Sequence, residues 1–94
     1  MNKIEKTEIK ACCGKTQLNF KVNFSCSKDH IDSFVKEGFI LAKGFFDAGI
    51  LYVEDSNLII ICTFGSNNFN LKCKSKACPD SIVKAENIIL NLIT

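Results

Sequence analysis

Apolar residues along this chain fall mostly at every second position, and one run breaks that rule. Leu58-Ile59-Ile60-Ile61-Cys62-Thr63-Phe64 is apolar at odd and even positions alike. Successive side chains of a strand point to opposite faces, so such a run calls for cover above and below. Its β-branched isoleucines suit a strand, and it is too short for a core helix or a membrane span. It is expected to be the innermost strand of one sheet.

Two flanking segments alternate cleanly. Leu18, Phe20, Val22 and Phe24 are separated by Gln17, Asn19, Lys21 and Asn23, and Phe69, Leu71 and Cys73 by Asn70, Lys72 and Lys74. Each reads as a strand with one wet face. Ile4 to Cys12 alternates more loosely and reads as a first strand, closed into a hairpin by Cys12-Cys13-Gly14-Lys15. That turn is no phosphate-binding loop, because Ile9 stands where the first glycine of the motif belongs. Ile50 to Glu54 is a further strand between the turns Asp47-Ala48-Gly49 and Asp55-Ser56-Asn57, and Gly65-Ser66-Asn67-Asn68 makes the next turn. Phe39 to Phe46 is a weaker strand, interrupted by Ala42 and Gly44, with a loop as the other reading of its Phe45-Phe46 end.

Two segments carry helical spacing. Ser27 is placed to cap a short helix from Lys28 to Glu37, with Asp29 and Asp32 near its positive end. Ile31, Phe34 and Val35 fall on one face, and Gly38 closes it. Pro79 and Asp80 open a second helix whose Ile82, Ala85, Ile89, Leu92 and Ile93 recur at helical intervals. The expected fold is α+β: a two-layer sandwich of an antiparallel sheet of five to six strands with two helices, in the order ββα-ββββ-α, residues 1–94 forming one domain. With both helices on one face, the other face of the central strand is left to a dimer mate, a curled sheet or a partner protein.

Composition narrows the function classes. The chain is 47% hydrophobic, which excludes a disordered tail. The first six residues lack the apolar run of a secretion signal, and no window approaches a bilayer span, so a soluble cytoplasmic protein is expected. All twelve basic residues are lysines and the net charge is only +2. Without arginine's bidentate fork, sequence-specific DNA reading is disfavoured. The abundance of Lys, Asn and Ile fits an AT-rich coding sequence, as in a low-GC bacterium or its phage.

The six cysteines raise the question of metal or disulfides. Cys12, Cys13, Cys73 and Cys78 form an alternative zinc site, provided that the first hairpin's turn lies beside the junction of last strand and last helix. A Cys73–Cys78 or Cys12–Cys78 disulfide is a further reading. Free, partly buried thiols packing as small hydrophobes are the favoured one, and Cys62 belongs to the core. Cys26 just before a helix, with His30 one turn on, resembles an activated thiol, but no glycine-rich oxyanion turn accompanies it. The carboxylates are accounted for by helix ends and turns, so no enzyme is expected.

What is left is surface. Phe39, Phe45 and Phe46, spread around glycines, are the expected partner-binding aromatics of a small regulatory or inhibitory module that acts through a protein partner or a homodimer interface. The alternative is nucleic-acid binding by a basic face of Lys21, Lys72, Lys74 and Lys76. That reading needs exposed aromatics for base stacking, and Phe20, Phe24 and Phe69 point the other way.

Overall fold

A computed structural model of the chain describes residues 5–10, 16–74 and 78–93. The two-faced run forms strand β5 (Leu58–Thr63), which has a hydrogen-bonded neighbour on each side. With β1 (Glu5–Lys10), β2 (Thr16–Lys21), β3 (Ile40–Leu41), β4 (Ile50–Glu54) and β6 (Asn68–Cys73) it builds a single sheet in the order β1-β2-β6-β5-β4-β3, every pair antiparallel. The chain from β3 to β6 is a meander. The β1–β2 hairpin docks beside β6, and the connection from β2 crosses the sheet to reach β3 at the far edge.

That crossing carries a 3-10 turn, Lys28–His30, which runs into helix α1 (Ile31–Val35). Ser27 caps it as expected, its Oγ accepting the Asp29 N–H, while its own N–H donates to His30 Nδ1 at 3.1 Å. The helix stops at Val35, two residues before the expected Glu37. Gly38, at φ +103°, then reverses the chain so that the Phe39 N–H reaches the Phe34 carbonyl at 3.2 Å. A long closing helix, Cys78–Ile93, lies on the same side of the sheet as α1 and shares one cluster with it.

Register explains the core. Leu18 and Phe20 of β2 face Leu71 and Phe69 of β6, and Ile60 of β5 sits between Leu71 and Val53. Phe20, Leu51, Val53, Leu58, Ile60, Phe69 and Leu71 are essentially solvent-free, joined by Ile31 and Phe34 of α1 and by Ala85, Ile88 and Ile89 of the closing helix. Each of the large side chains among them contributes about 1.5–3 kcal/mol by leaving water. The strand predicted to run to Phe24 ends at Lys21. The chain still hugs the sheet beyond it, because the Val22 N–H donates to the Asn67 carbonyl (2.8 Å) and the Cys26 N–H to that of Ser66 (2.7 Å).

The predicted strand Phe39–Phe46 shrinks to the two residues of β3. A further helix follows it, α2 (Lys43–Asp47), so the described residues form six strands but three helices rather than two, the closing helix being α3. Ring contacts hold this helix in place: Phe45 stacks on Tyr52 with centroids 4.4 Å apart, and Phe46 meets the Phe64 ring edge-on at 5.8 Å.

Asp55, in the β4–β5 turn, fastens the sheet to α3. Its Oδ1 accepts the N–H groups of Asn57 (2.8 Å) and Leu58 (2.7 Å), and its Oδ2 accepts the buried Ser81 hydroxyl (2.8 Å). Lys84 Nζ stands 3.4 Å from the same Oδ2. Burial pushes the Asp55 carboxyl up, but those hydrogen bonds and the lysine outweigh it and hold the group below its ordinary range. At the sheet's margins, β3 is only two residues long, whereas β1 presents the exposed charges Glu5, Lys6 and Glu8. Lys6 reaches Glu86 of α3 at 2.9 Å.

Candidate functional site

Helices α1 and α3 both lie on one side of the sheet, and among the described residues the other side is open except where Phe45 of α2 reaches round to Tyr52. Registers place the open-face residues in rows: Ile40, Glu54, Ile59, Lys72 and Gln17 in one, and Tyr52, Ile61, Asn70, Asn19 and Thr7 in the next. The face is divided along its length. Over β3, β4 and β5 it is apolar, built from Ile40, Ile50, Tyr52, Ile59 and Ile61, with Phe45 laid on Tyr52. Over β2 and β6 it is polar, with Asn19, Lys21, Asn70 and Lys72. Ile40 is 70% exposed and Phe45 44%, and the other apolar members are half-buried. A contiguous apolar patch with a polar rim marks an interaction surface more often than a packing fault.

The three phenylalanines expected to form a partner surface are separated by the fold. Phe45 alone joins the open face. Phe39 is a correction: it is 2% exposed, because the turn at Gly38 tucks it against Phe34 (6.1 Å, edge-on), with Lys84 Nζ 4.6 Å from its ring centre. Phe46 packs on Phe64 at the margin of the core. The patch members missed by sequence reasoning, Ile40, Ile50, Tyr52, Ile59 and Ile61, carried one usable signal. A central strand apolar on both faces and a chain with helices for only one layer leave a side uncovered.

The lysine face is only partly assembled. β2 does neighbour β6, so Lys21 and Lys72 share the open face and are exposed. Asn19 Nδ2 donates to Asn68 Oδ1 across the strands at 3.0 Å. Lys74, however, is held by Glu54 Oε1 (3.0 Å) and the Asp55 carbonyl (3.1 Å), and Glu5 is the register partner of Lys21. Lys76 lies outside the described residues.

Cysteine chemistry is redistributed as well. Cys73 is disulfide-bonded, its partner sulfur lying outside the described side chains, as do Cys12, Cys13 and the Cys78 side chain. The Gln17–Lys72 pairing does bring the start of β2 to the same end of the sheet as Cys73. An oxidised Cys73 offers no thiolate, so the four-cysteine zinc alternative requires that bond to be reduced. Disulfides persist in oxidising compartments and are rare in cytosol, which weighs against the cytoplasmic expectation. Among the described residues no three His, Cys, Asp or Glu side chains converge on a metal position, and no helix is long and apolar enough to cross a membrane.

Cys26 and His30 are each engaged elsewhere. Cys26 is buried, and His30 Nδ1 is occupied as a cap by the Ser27 N–H, its ring edge-on to Phe24 at 5.0 Å. A shallow groove of about 290 Å³ between α1 and α3 is lined by Ser33, Lys36, Glu37, Lys84, Asn87 and Asn91, and among the described residues no buried side-chain nitrogen or oxygen is left without a hydrogen bond. The open sheet face is the strongest candidate surface. No protein-family model matches the chain, and comparison with curated proteins and with solved structures gives no significant match.

Proposed function

We propose that this protein is a non-catalytic binding module that works through the open face of its sheet, and that the occupant of that face is a second copy of the chain. The reading is supported above all by the half-buried Ile59 and Ile61 at the centre of an apolar patch that neither α1 nor α3 covers. The distribution of charge favours a second copy. In one row Glu54 and Lys72 stand on either side of Ile59. A twofold axis running along β5 sets Ile59 against Ile59 and Ile61 against Ile61, and brings Glu54 of each copy over Lys72 of the other. Such a contact is self-complementary, as a closed dimer requires. A regulatory or inhibitory role follows naturally, since any protein partner would compete for the same patch.

Sedimentation velocity over a concentration series tests this. The wild-type chain is expected to dimerise and Ile61→Asp to be monomeric with an unchanged circular dichroism spectrum. Glu54→Lys and Lys72→Glu should each weaken the dimer, and the double variant should restore it. A dimer indifferent to Ile61→Asp would place the interface elsewhere, and a wild-type monomer at every concentration would remove the second copy as occupant.

One observation favours a second reading. Tyr52 and Phe45 share their face with Lys21 and Lys72, the mixture that single-stranded nucleic acid uses for stacking and backbone contact. The two rings are already stacked on each other and Lys74 is engaged by Glu54, which makes this the weaker fit. Salt separates the two: nucleic-acid binding should weaken steeply between low and moderate salt, whereas the isoleucine-centred contact should hardly respond.

A further inference from the structure

Two thiols lie in the core within hydrogen-bonding reach of each other: Cys26, in the segment entering α1, and Cys62 of β5. They are 2% and 1% exposed. Both are tied to the β5–β6 turn. The Cys26 N–H donates to the Ser66 carbonyl at 2.7 Å, the Cys62 thiol lies 3.9 Å from that same oxygen, and the Cys26 carbonyl accepts the Gly65 N–H at 2.8 Å. Buried cysteines commonly serve as small hydrophobes. Packing alone, however, does not ask for two thiols from segments far apart in the chain to be gathered at one turn, in a chain that already carries an oxidised Cys73.

We propose that Cys26 and Cys62 are a latent second disulfide, closed by exchange with a small-molecule disulfide such as oxidised glutathione and reopened by thiols. The Cys26 thiolate attacks one sulfur of the glutathione disulfide and forms a mixed disulfide, expelling one glutathione thiolate. The Cys62 thiolate then attacks the Cys26 sulfur and expels the second. Two protein thiols become one protein disulfide, the glutathione disulfide is reduced to two thiols, and the two protein protons end on those thiols. The order follows from the environment. The hydrogen bond from Cys62 favours the Cys26 thiolate more than burial opposes it, whereas that same hydrogen bond, burial and the charge of Cys26 all push Cys62 upward.

Access is by local opening. Cys26 belongs to neither helix nor strand, and its backbone is attached to the turn through Ser66 and Gly65. Irregular segments of this kind open at lower cost than the strands beneath them. Closure would lock the entrance to α1 onto the central strand and cross-link a long stretch of chain.

The test uses the full chain equilibrated in glutathione buffers from reducing to oxidising, quenched by alkylation under denaturing conditions and mapped by mass spectrometry. The expected result is a linked peptide pair containing Cys26 and Cys62, with the loss of two hydrogens, that disappears on reduction. Tm should rise by about 10 °C or more on closure of so long a loop, and Cys26→Ser and Cys62→Ser should each abolish the rise. The mapping needs only wild-type protein, so it decides even if a serine variant fails to fold. Alkylation of both Cys26 and Cys62 in the buffer that keeps Cys73 oxidised would overturn the proposal, as would a linkage of either to another cysteine.

Discussion

The two faces of β5 are made of nearly the same side chains and meet opposite fates. Leu58, Ile60 and Cys62 are sealed beneath α1 and α3, whereas Ile59 and Ile61, one residue along, look out over an uncovered surface. Hydrophobicity alone therefore does not state whether a residue serves folding or association. What lies above it decides.

Mutations across that divide should separate the two roles. The largest effect is expected for Ile60→Ala, which removes solvent-free methyl groups from a packed site and should cost about 3 kcal/mol in urea unfolding. Ile61→Ala, measured in dilute monomer, should cost under about 1 kcal/mol while weakening self-association. Similar losses at the two positions would mean that the open face is part of the core. Next comes Asp55→Ala, expected to cost about 2 kcal/mol by leaving the Ser81 hydroxyl and the turn N–H groups without their acceptor.

The Asp55 carboxyl also gives a pH signature to the covered side. Because its pKa is lowered on folding, its contribution is fully present above the ordinary aspartate value of about 3.9 and is lost as pH falls through the lower folded value. Asp55→Ala should accordingly flatten the acid limb of a stability-against-pH curve, and an unchanged limb would refute the assignment. The smallest effect is expected for Lys72→Ala on the open face. Measured in dilute monomer, its stability should stay within about 0.5 kcal/mol of wild type in thermal melts, since an exposed lysine has no packing to lose.

Much of this layout was legible in the chain. Period-two alternation in Leu18-Asn19-Phe20 and Phe69-Asn70-Leu71 names both the strand and its inner face, and Ser27 and Pro79 mark helix starts by backbone chemistry that acts locally. Helix α2 was not legible. Five residues containing Gly44 have no helical period to detect, and rings on β4 and beyond β5 fix its placement. Nor was the burial of Phe39, which depends on the reversal at Gly38 rather than on any neighbour in sequence. The Asp55–Ser81 bond spans 26 positions, beyond the reach of any local pattern. The open face was half legible: an uncovered layer follows from counting helices, but its membership needs the strand order.

The margins of the sheet set a limit on growth. A two-residue β3 offers almost no backbone for another strand to pair with, and the charged β1 discourages an apolar strand from docking there. Recruitment strand by strand, the route to fibrils, is thereby discouraged at both ends. With a second copy on the open face, as proposed, association would go to a broad surface that one mate can occupy completely, and the assembly would stop at a finite size even when the chain is crowded.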